Sequence, residues 1–253
     1  MFESQHWYNR EGRPAYEVQS AKGAMRATTL ADARKLGLVP SVTTVLSVIA
    51  KPQLEAWKVK QGILAALTLP RVEGESEDDW LARVGTDSRQ QVVDAADEGN
   101  RIHDAIEASF LRRVYPAKYH PHVEAARAAL AEAFPGVDDW IAEASFAHPS
   151  GYGGKVDLHS PSTGIVVDWK GKDGPLDDGK RLAYDQHYQL SAYQDGLLLP
   201  RTVCANGFVS RTHPGKVHLH AWSADEINHG ADVFRAALGL WKAVKRYEPA
   251  FGD

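Results

Sequence analysis

Apolar residues change their spacing part-way along the chain. Before Pro135 they recur every three or four positions in segments separated by proline or glycine, which is the period of a helix face. After Trp140 they fall in short runs bounded by glycine-bearing turns, which is typical of strands. The pattern therefore predicts a helical first part, residues 1–135, and a sheet-containing second part, residues 136–253. The two parts can also form one continuous domain.

The first part is predicted to contain four helices after a short strand or hairpin at His6 to Tyr16. Ser41 can cap the first helix by accepting a hydrogen bond from a free backbone N–H. The predicted helices run from Val42 to about Ala50, from Pro52 to Pro70, from Glu75 to Val114 with a break near Gly85, and from Tyr119 to Phe134. The first two should form a lysine-rich helical hairpin.

The second part is predicted to form three adjacent antiparallel strands, a helix, two further strands and a terminal helix. The strand candidates lie at 141–146, 156–158, 165–167, 202–210 and 216–222, and the helices at 184–199 and 224–246. We therefore expect an α/β fold with a mixed central sheet flanked by helices.

Composition allows a packed core and limits the class of protein. The chain has 253 residues, of which 43% are hydrophobic, and its single cysteine excludes an internal disulfide and a thiolate zinc cluster. No run approaches the roughly 18 to 20 apolar residues of a membrane-spanning helix, and residues 1–10 do not resemble a signal peptide. We expect a soluble, cytoplasmic protein with no membrane partner.

Charge is unevenly distributed along the chain. The formal net charge of −4 argues against a protein that coats nucleic acid through bulk electrostatics. Residues 10–60 hold nine basic and four acidic side chains, whereas residues 72–108 hold three basic and eleven acidic ones. Only the first stretch is suited to phosphate contacts. An enzyme that acts on nucleic acid remains compatible with this charge if its carboxylates bind cations.

Two aspartates and a lysine fall on predicted strands that are otherwise apolar. Asp157 ends the sequence Gly-Gly-Lys-Val-Asp, and eleven residues later comes Asp168-Trp169-Lys170. Asp168 and Lys170 leave the same face of a strand, with the backbone carbonyl of Trp169 between them. Two carboxylates and a carbonyl oxygen suit Mg²⁺ or Mn²⁺. The alternative is a buried Asp–Lys pair in an ordinary sheet.

Several motifs resemble one superfamily of nucleases. Gly154, Asp157, Asp168 and Lys170 resemble the core signature of the PD-(D/E)xK nucleases. Two further motifs, Gly-Asn-Arg-Ile-His at 99–103 and Gln-Leu-Ser-Ala-Tyr at 189–193, resemble the branch that includes the RecB nuclease domain. The segment Pro-Ser-Val-Thr-Thr-Val-Leu at 40–46, followed by Leu54, Trp57 and Lys58, resembles the helical region of phage nucleases related to the mitochondrial genome maintenance exonuclease. The resemblance spans residues 40 to 193 and leaves both ends uncovered.

The resemblance implies a metal centre. His103 would be an additional ligand beside Asp157, Asp168 and the Trp169 carbonyl, while Lys170 would position or activate water. Taken alone, a single helical histidine is more often packed or exposed than a metal ligand, and the other motifs of the resemblance reverse that preference.

Other residues would support this centre or the substrate. Glu143 matches the family's first acidic position and would bind a second cation or orient water, although a solvated strand glutamate is the alternative. Gln189 and Tyr193 share one helical face and would support the active site or contact DNA. Without the resemblance they indicate only an amphipathic helix.

In the relatives, helices cover the active site and form a passage for single strands. Lys51, Trp57, Lys58 and Lys60 would supply phosphate and stacking contacts in such a passage. A solvated helix face with a packed tryptophan accounts for the same residues.

The resemblance therefore implies a restriction-endonuclease-like core with a helical N-terminal cover, acting as a metal-dependent exonuclease on free ends of single-stranded DNA. One or two Mg²⁺ or Mn²⁺ ions are compatible with these ligands. An endonuclease or flap nuclease and a catalytically silent nucleic-acid-binding module are the alternatives. The sequence has no phosphate-binding glycine loop with lysine, so any helicase activity would come from a partner. A role in DNA repair or recombination, in a bacterium or a phage-infected cell, is also implied.

Overall fold

The computed structural model describes residues 6–177 and 181–249, which form nine strands and seven α-helices. The N-terminal elements are β1 (Trp7–Tyr8), β2 (Glu17–Gln19), β3 (Met25–Ala27), α1 (Leu30–Leu36), β4 (Val39–Pro40), α2 (Val42–Leu46), α3 (Pro52–Thr68), α4 (Glu77–Phe110) and α5 (His120–Ala133). They are followed by β5 (Ile141–His148), β6 (Tyr152–His159), β7 (Val166–Lys172), α6 (His187–Gly196), β8 (Cys204–Ser210), β9 (Val217–Trp222) and α7 (Ala224–Lys245).

A five-stranded sheet organises the molecule, in the order β5, β6, β7, β8, β9. The first three strands pair antiparallel, as the sequence predicts. β7 and β8 pair in parallel, with α6 in the connection between them, and β9 returns antiparallel to β8. The predicted class, an α/β fold with a mixed sheet flanked by helices, is confirmed.

Helices cover both faces of this sheet. Residues of α4 and α5 pack on one face, in a buried cluster with Leu158 and Trp169. Residues of α2, α6 and α7 pack on the other face, in a second buried cluster that includes Val156. Trp7 belongs to the second cluster, where its ring centroid lies 6.1 Å from that of Trp241 in α7. Segments from before and after Pro135 therefore share a hydrophobic core.

α4 runs without interruption for 34 residues, a length of about 50 Å. Ser76 caps it by accepting a hydrogen bond from the Asp79 N–H at 3.1 Å, and the acidic first turn complements the helix dipole. The predicted break near Gly85 is wrong, because an interior glycine costs only about 1 kcal/mol and α4 packs against α3. Within the described ranges, no helix is long and apolar enough to cross a membrane.

Two further predictions for the first part need correction. The first helix ends at Leu46 rather than Ala50, because the N–H groups of Val48 and Ile49 bond to carbonyls three residues back and tighten the chain. The helical hairpin is formed by α3 and α4, whereas α2 packs against α6 and α7. The predicted short strand or hairpin at His6 to Tyr16 is present: the Ala15 N–H donates to the Trp7 carbonyl and the Asn9 N–H to the Arg13 carbonyl, while β1 also pairs with β4.

Candidate active site

The strands that carry Asp157 and Asp168 separate at these residues. β6 and β7 pair over two residues each, and this paired stretch ends just before the two aspartates. Beyond that point the backbone N–H of Trp169 donates to Asp157 Oδ2 at 2.9 Å, so a side chain takes the place of a strand partner. The N–H and C=O of one strand residue point to the same side, so the Trp169 carbonyl also faces this gap. The gap collects two of the predicted metal ligands.

The face of the sheet to which the side chains of β6 point also changes at Asp157. Val156 belongs to the buried cluster on the α6 side of the sheet, whereas Leu158 belongs to the cluster on the α4 side. Residues two apart share a face in a regular strand, so the strand twists sharply between them. Glu143, which lies opposite Asp157 in β5, has a left-handed φ of 61°, and it marks the same irregularity. Asp157 therefore points along the sheet, as its bond to the Trp169 N–H requires.

Asp168 is buried and is held by three side chains. Gln189 Nε2 donates to Oδ1 at 2.9 Å, and Asn206 Nδ2 donates to Oδ2 at 2.9 Å. The Lys170 ammonium also contacts Oδ2, at 2.8 Å. Asn206 is itself fixed by Trp222, whose indole N–H donates to the amide oxygen at 2.8 Å. Both carboxylate oxygens of Asp168 thus have donors, as a buried carboxylate requires.

Lys170 holds positive charge beside both aspartates. Burial raises the pKa of Asp157 and the pKa of Asp168, and the charge of Lys170 opposes that rise. Burial lowers the pKa of Lys170, but the charges of Asp168 and Asp157 outweigh it, so the pKa of Lys170 is raised. Lys170 therefore stays protonated at neutral pH and is the cation that the two carboxylates share.

The predicted Gln189–Tyr193 pair belongs to the same network. The Lys170 ammonium donates to Gln189 Oε1 at 3.2 Å, and Gln189 Nε2 donates to the Tyr193 hydroxyl at 2.7 Å. Gln189 and Tyr193 are both buried, so they orient the site from the interior of the protein. These contacts place the pair in a supporting position around Asp168.

A close approach of α4 to β7 brings His103 to this site. Gly171 faces the backbone of α4, since a Cβ added to Gly171 would lie 3.4 Å from the Gly99 Cα. His103 lies one turn further along α4, within electrostatic range of Lys170 and Asp168. Burial and the Lys170 charge lower the pKa of His103 to about 4, so its ring is neutral at pH 7. Nε2 of this ring is buried without a hydrogen-bond partner among the described residues.

Glu143 lies in a second charged cluster next to the first. Its carboxylate pairs with Lys155 and is hydrogen-bonded to Glu107, which lies one turn after His103 on α4. Burial and the hydrogen bond with Glu143 raise the pKa of Glu107 to about 8. Burial acts to raise the pKa of Glu143, but the hydrogen bonds from Glu107 and Lys155 outweigh burial, so the pKa of Glu143 is lowered. The two glutamates therefore share one proton at neutral pH, and the charge of Glu143 also acts on Asp157.

The arrangement is not that of a preformed metal cage. Within residues 6–177 and 181–249, no three histidine, cysteine, aspartate or glutamate side chains are placed together as metal ligands. The Lys170 ammonium contacts Asp168, and a backbone N–H contacts Asp157. The donor types nevertheless suit a hard divalent cation: the carboxylates of the half-buried Asp157 and the buried Asp168, a neutral imidazole nitrogen without a partner, and a backbone carbonyl.

The predicted DNA-contacting residues of the N-terminal part lie outside this cluster. Lys51 precedes α3, and Trp57, Lys58 and Lys60 lie along it. Lys58 makes an exposed ion pair with Glu55 at 2.9 Å, and none of the described contacts of these four residues reaches the aspartates. Consecutive helices α3 and α4 run antiparallel and meet where Gly62 faces Ser88, so the start of α3 lies beside the stretch of α4 that leads to His103.

Three site residues were missed by sequence reasoning. Asn206 stands as an amide in the fully buried strand β8, and that contrast is a signal that could have found it. Glu107 follows His103 by four residues, and Lys155 precedes Asp157 by two, so helical and strand spacing give a weaker signal for each.

Comparisons with known proteins do not assign this site. No family model matches the sequence, and no characterised protein matches it significantly. The resemblance to the PD-(D/E)xK nucleases therefore rests on the residues themselves and on the chemistry that their arrangement allows.

Proposed function

We propose that this protein is a Mg²⁺- or Mn²⁺-dependent deoxyribonuclease that hydrolyses phosphodiester bonds from free ends of single-stranded DNA. In this proposal the sheet and its helices are a restriction-endonuclease-like core, and the helices before Pro135 cover its active site. The observation that carries the proposal is the pair of carboxylates, the half-buried Asp157 and the buried Asp168, beside the Lys170 ammonium where β6 and β7 separate.

Charge balance favours catalysis over a structural ion pair. A structural pair needs one carboxylate for each ammonium, whereas two aspartates, one buried and one half-buried, share Lys170. Burial raises the pKa of both aspartates, so a further cation beside Lys170 would lower the cost of keeping both of them ionised. The buried Nε2 of His103 has no hydrogen-bond partner in the described structure, so this nitrogen is available as a ligand for such a cation.

The proposed ion would be held by Asp157, Asp168, His103 Nε2 and the Trp169 carbonyl. When bound, a divalent cation supplies Lewis-acid polarisation of a phosphoryl oxygen and a lowered pKa for water. Glu143 would hold a second ion or orient the attacking water.

The protein's own side chains supply orientation and charge. Lys170 keeps its proton, so its ammonium can donate to a phosphoryl oxygen or hold the attacking water. Gln189 and Asn206 fix the two oxygens of Asp168, and this prevents the carboxylate from rotating when substrate arrives. In-line attack would leave a 5′ phosphate on the product, as the resemblance implies.

Strand binding in this proposal falls to the lysines and the tryptophan of the α3 region. Lys58 and Lys60 are exposed, and Lys51 and Trp57 are half-buried. Ammonium groups that follow the backbone, together with a ring on which bases stack, are the usual elements of single-strand binding.

The test is degradation of end-labelled linear and circular single-stranded DNA in Mg²⁺, Mn²⁺ or EDTA. We expect metal-dependent loss of the linear substrate, abolished in Asp168→Ala and Lys170→Ala. Lys172→Ala is the matched control, because the Lys172 ammonium lies over the Phe208 ring rather than on an aspartate. Cutting of the circular strand would favour an endonuclease or flap nuclease. Binding without cleavage would favour a catalytically silent nucleic-acid-binding module.

A further inference from the structure

The N-terminal segment carries a stacked pair of rings near the proposed catalytic residues Asp157, Asp168 and Lys170. The imidazole of His6 and the phenol ring of Tyr16 have centroids 4.4 Å apart and planes 25° apart. His6 is exposed and Tyr16 is half-buried, so the stack presents ring surface to solvent. Ordering two rings at the surface costs conformational entropy, so this stack needs other contacts to hold it in place.

Tyr8 supplies the first of these anchors. Its hydroxyl is hydrogen-bonded to the Tyr16 hydroxyl at 2.6 Å, and the two rings meet edge to face with centroids 5.6 Å apart. Tyr8 is 3% exposed and packs directly on β6, where a Cβ added to Gly153 would lie 2.9 Å from the Tyr8 Cβ. The Gly153 position therefore allows the aromatic segment to lie against the strand that leads to Asp157.

The segment at the start of α2 supplies the second anchor. The Ser41 N–H donates to the His6 carbonyl at 2.8 Å, and the His6 N–H donates to Thr44 Oγ1 at 3.2 Å. Ser41 also forms a parallel bridge with Gly153. The Pro-Ser-Val-Thr-Thr segment thus fixes both the aromatic pair and its position relative to β6.

Strand β6 connects the aromatic pair to the catalytic aspartate. Gly153, Lys155 and Asp157 follow one another at two-residue intervals, each a step of about 7 Å. The charge of Lys155 acts on His6 and on Tyr16, and the Tyr16 hydroxyl interacts electrostatically with Tyr193 of the catalytic network. A ring surface and a lysine therefore lie next to the centre where the phosphodiester would be cut.

We propose that the His6–Tyr16 stack is a platform for a nucleobase of the single strand, adjacent to the scissile phosphodiester. This inference rests on the proposed function and names the part of the substrate that the N-terminal segment recognises. Every base has a π face, so the platform accepts any base and contributes affinity without sequence preference.

The test uses a single-stranded oligonucleotide with 2-aminopurine near its end, bound in EDTA so that no turnover occurs. Stacking changes the fluorescence of this base, a signal that a merely structural role of the rings would not produce. We expect His6→Ala and Tyr16→Ala to lose the fluorescence change and to raise the Kd about 5- to 100-fold. Tyr16→Phe retains the ring and should retain both signals. His120→Ala, which removes an exposed imidazole packed against Tyr115, is the control.

The outcomes separate this inference from the nuclease proposal. Unchanged fluorescence and Kd in both alanine variants would overturn the platform. Loss of binding in Tyr16→Phe equal to that in Tyr16→Ala would also overturn it, because the hydroxyl bond to Tyr8 and not the ring would then be responsible. If the alanine variants lose the signal while the wild-type protein binds but never cleaves, the platform stands and the nuclease proposal fails.

Discussion

Replacing Lys170 by methionine removes the cation that Asp157 and Asp168 share. Breaking a buried ion pair from one side costs about 3–5 kcal/mol, because the remaining charge is left without compensation. As 32% of the Lys170 side chain is exposed, the lower end of this range applies. For a chain of this size about 1 kcal/mol shifts the unfolding midpoint by roughly 2–4 °C. We therefore expect the Tm in EDTA to fall by roughly 6–12 °C at neutral pH.

The loss of stability in Lys170→Met should increase as pH rises. Burial already raises the pKa of both aspartates, and removal of the Lys170 charge raises it further. The folded variant then binds more protons than the unfolded chain at pH values between about 3.9 and the raised folded pKa. Its stability should fall as pH rises through that window, with a slope of up to about 1.4 kcal/mol per pH unit for each proton.

The assay is thermal unfolding followed by circular dichroism in EDTA at several pH values between about 5 and 8, where the linkage slope is measured. Lys172→Met is the control, since it removes a lysine from the same strand that contacts the Phe208 ring. It should change stability by less than about 1 kcal/mol. An equal Tm and an equal pH slope for Lys170→Met and wild type would refute the view that Lys170 neutralises the carboxylate pair.

Three further predictions concern residues around this pair. His103→Ala should weaken Mn²⁺ binding at least about tenfold by calorimetry, and equal affinities of wild type and variant would exclude His103 as a ligand. The wild-type affinity for Mn²⁺ should fall as the pH approaches about 4, where the His103 ring gains a proton. The pKa of Glu107, about 8, means that wild-type stability contributed by its bound proton declines as pH rises toward that value, and Glu107→Gln should flatten this decline in urea unfolding. Asn206→Ala leaves Asp168 and the Trp222 indole short of a partner and should cost about 1–3 kcal/mol, so an unchanged urea midpoint would contradict the network.

Local sequence patterns predicted much of the fold and the centre of the site. The strands around Asp157 and Asp168 and the helix bearing Gln189 are where periodicity places them, because each is defined by residues a few positions apart. The close contacts of Asp168 with Lys170 follow from their two-residue spacing on one strand. Gln189 meets them because α6 follows β7 and packs on the same face of the sheet.

Features set by distant contacts were not predictable in this way. The continuity of α4 through Gly85 depends on packing with α3, which outweighs the weak helix propensity of glycine. The twist at Glu143 and Asp157 requires two strands to deform together, and no single residue signals it. The N-terminal rings reach the site through pairing of β1 with β4, a contact between segments about thirty residues apart.

The central claim is metal-dependent phosphodiester hydrolysis at Asp157, Asp168 and Lys170. Its most direct test is the rate at which purified protein releases 5′-phosphorylated products from end-labelled linear single-stranded DNA, measured with and without Mg²⁺ or Mn²⁺. The account predicts release that requires the metal, falls at least about 100-fold in Asp168→Ala and Lys170→Ala, and persists in Lys172→Ala. Equal rates in wild type and both catalytic variants, or no release by the wild type with either metal, would contradict it.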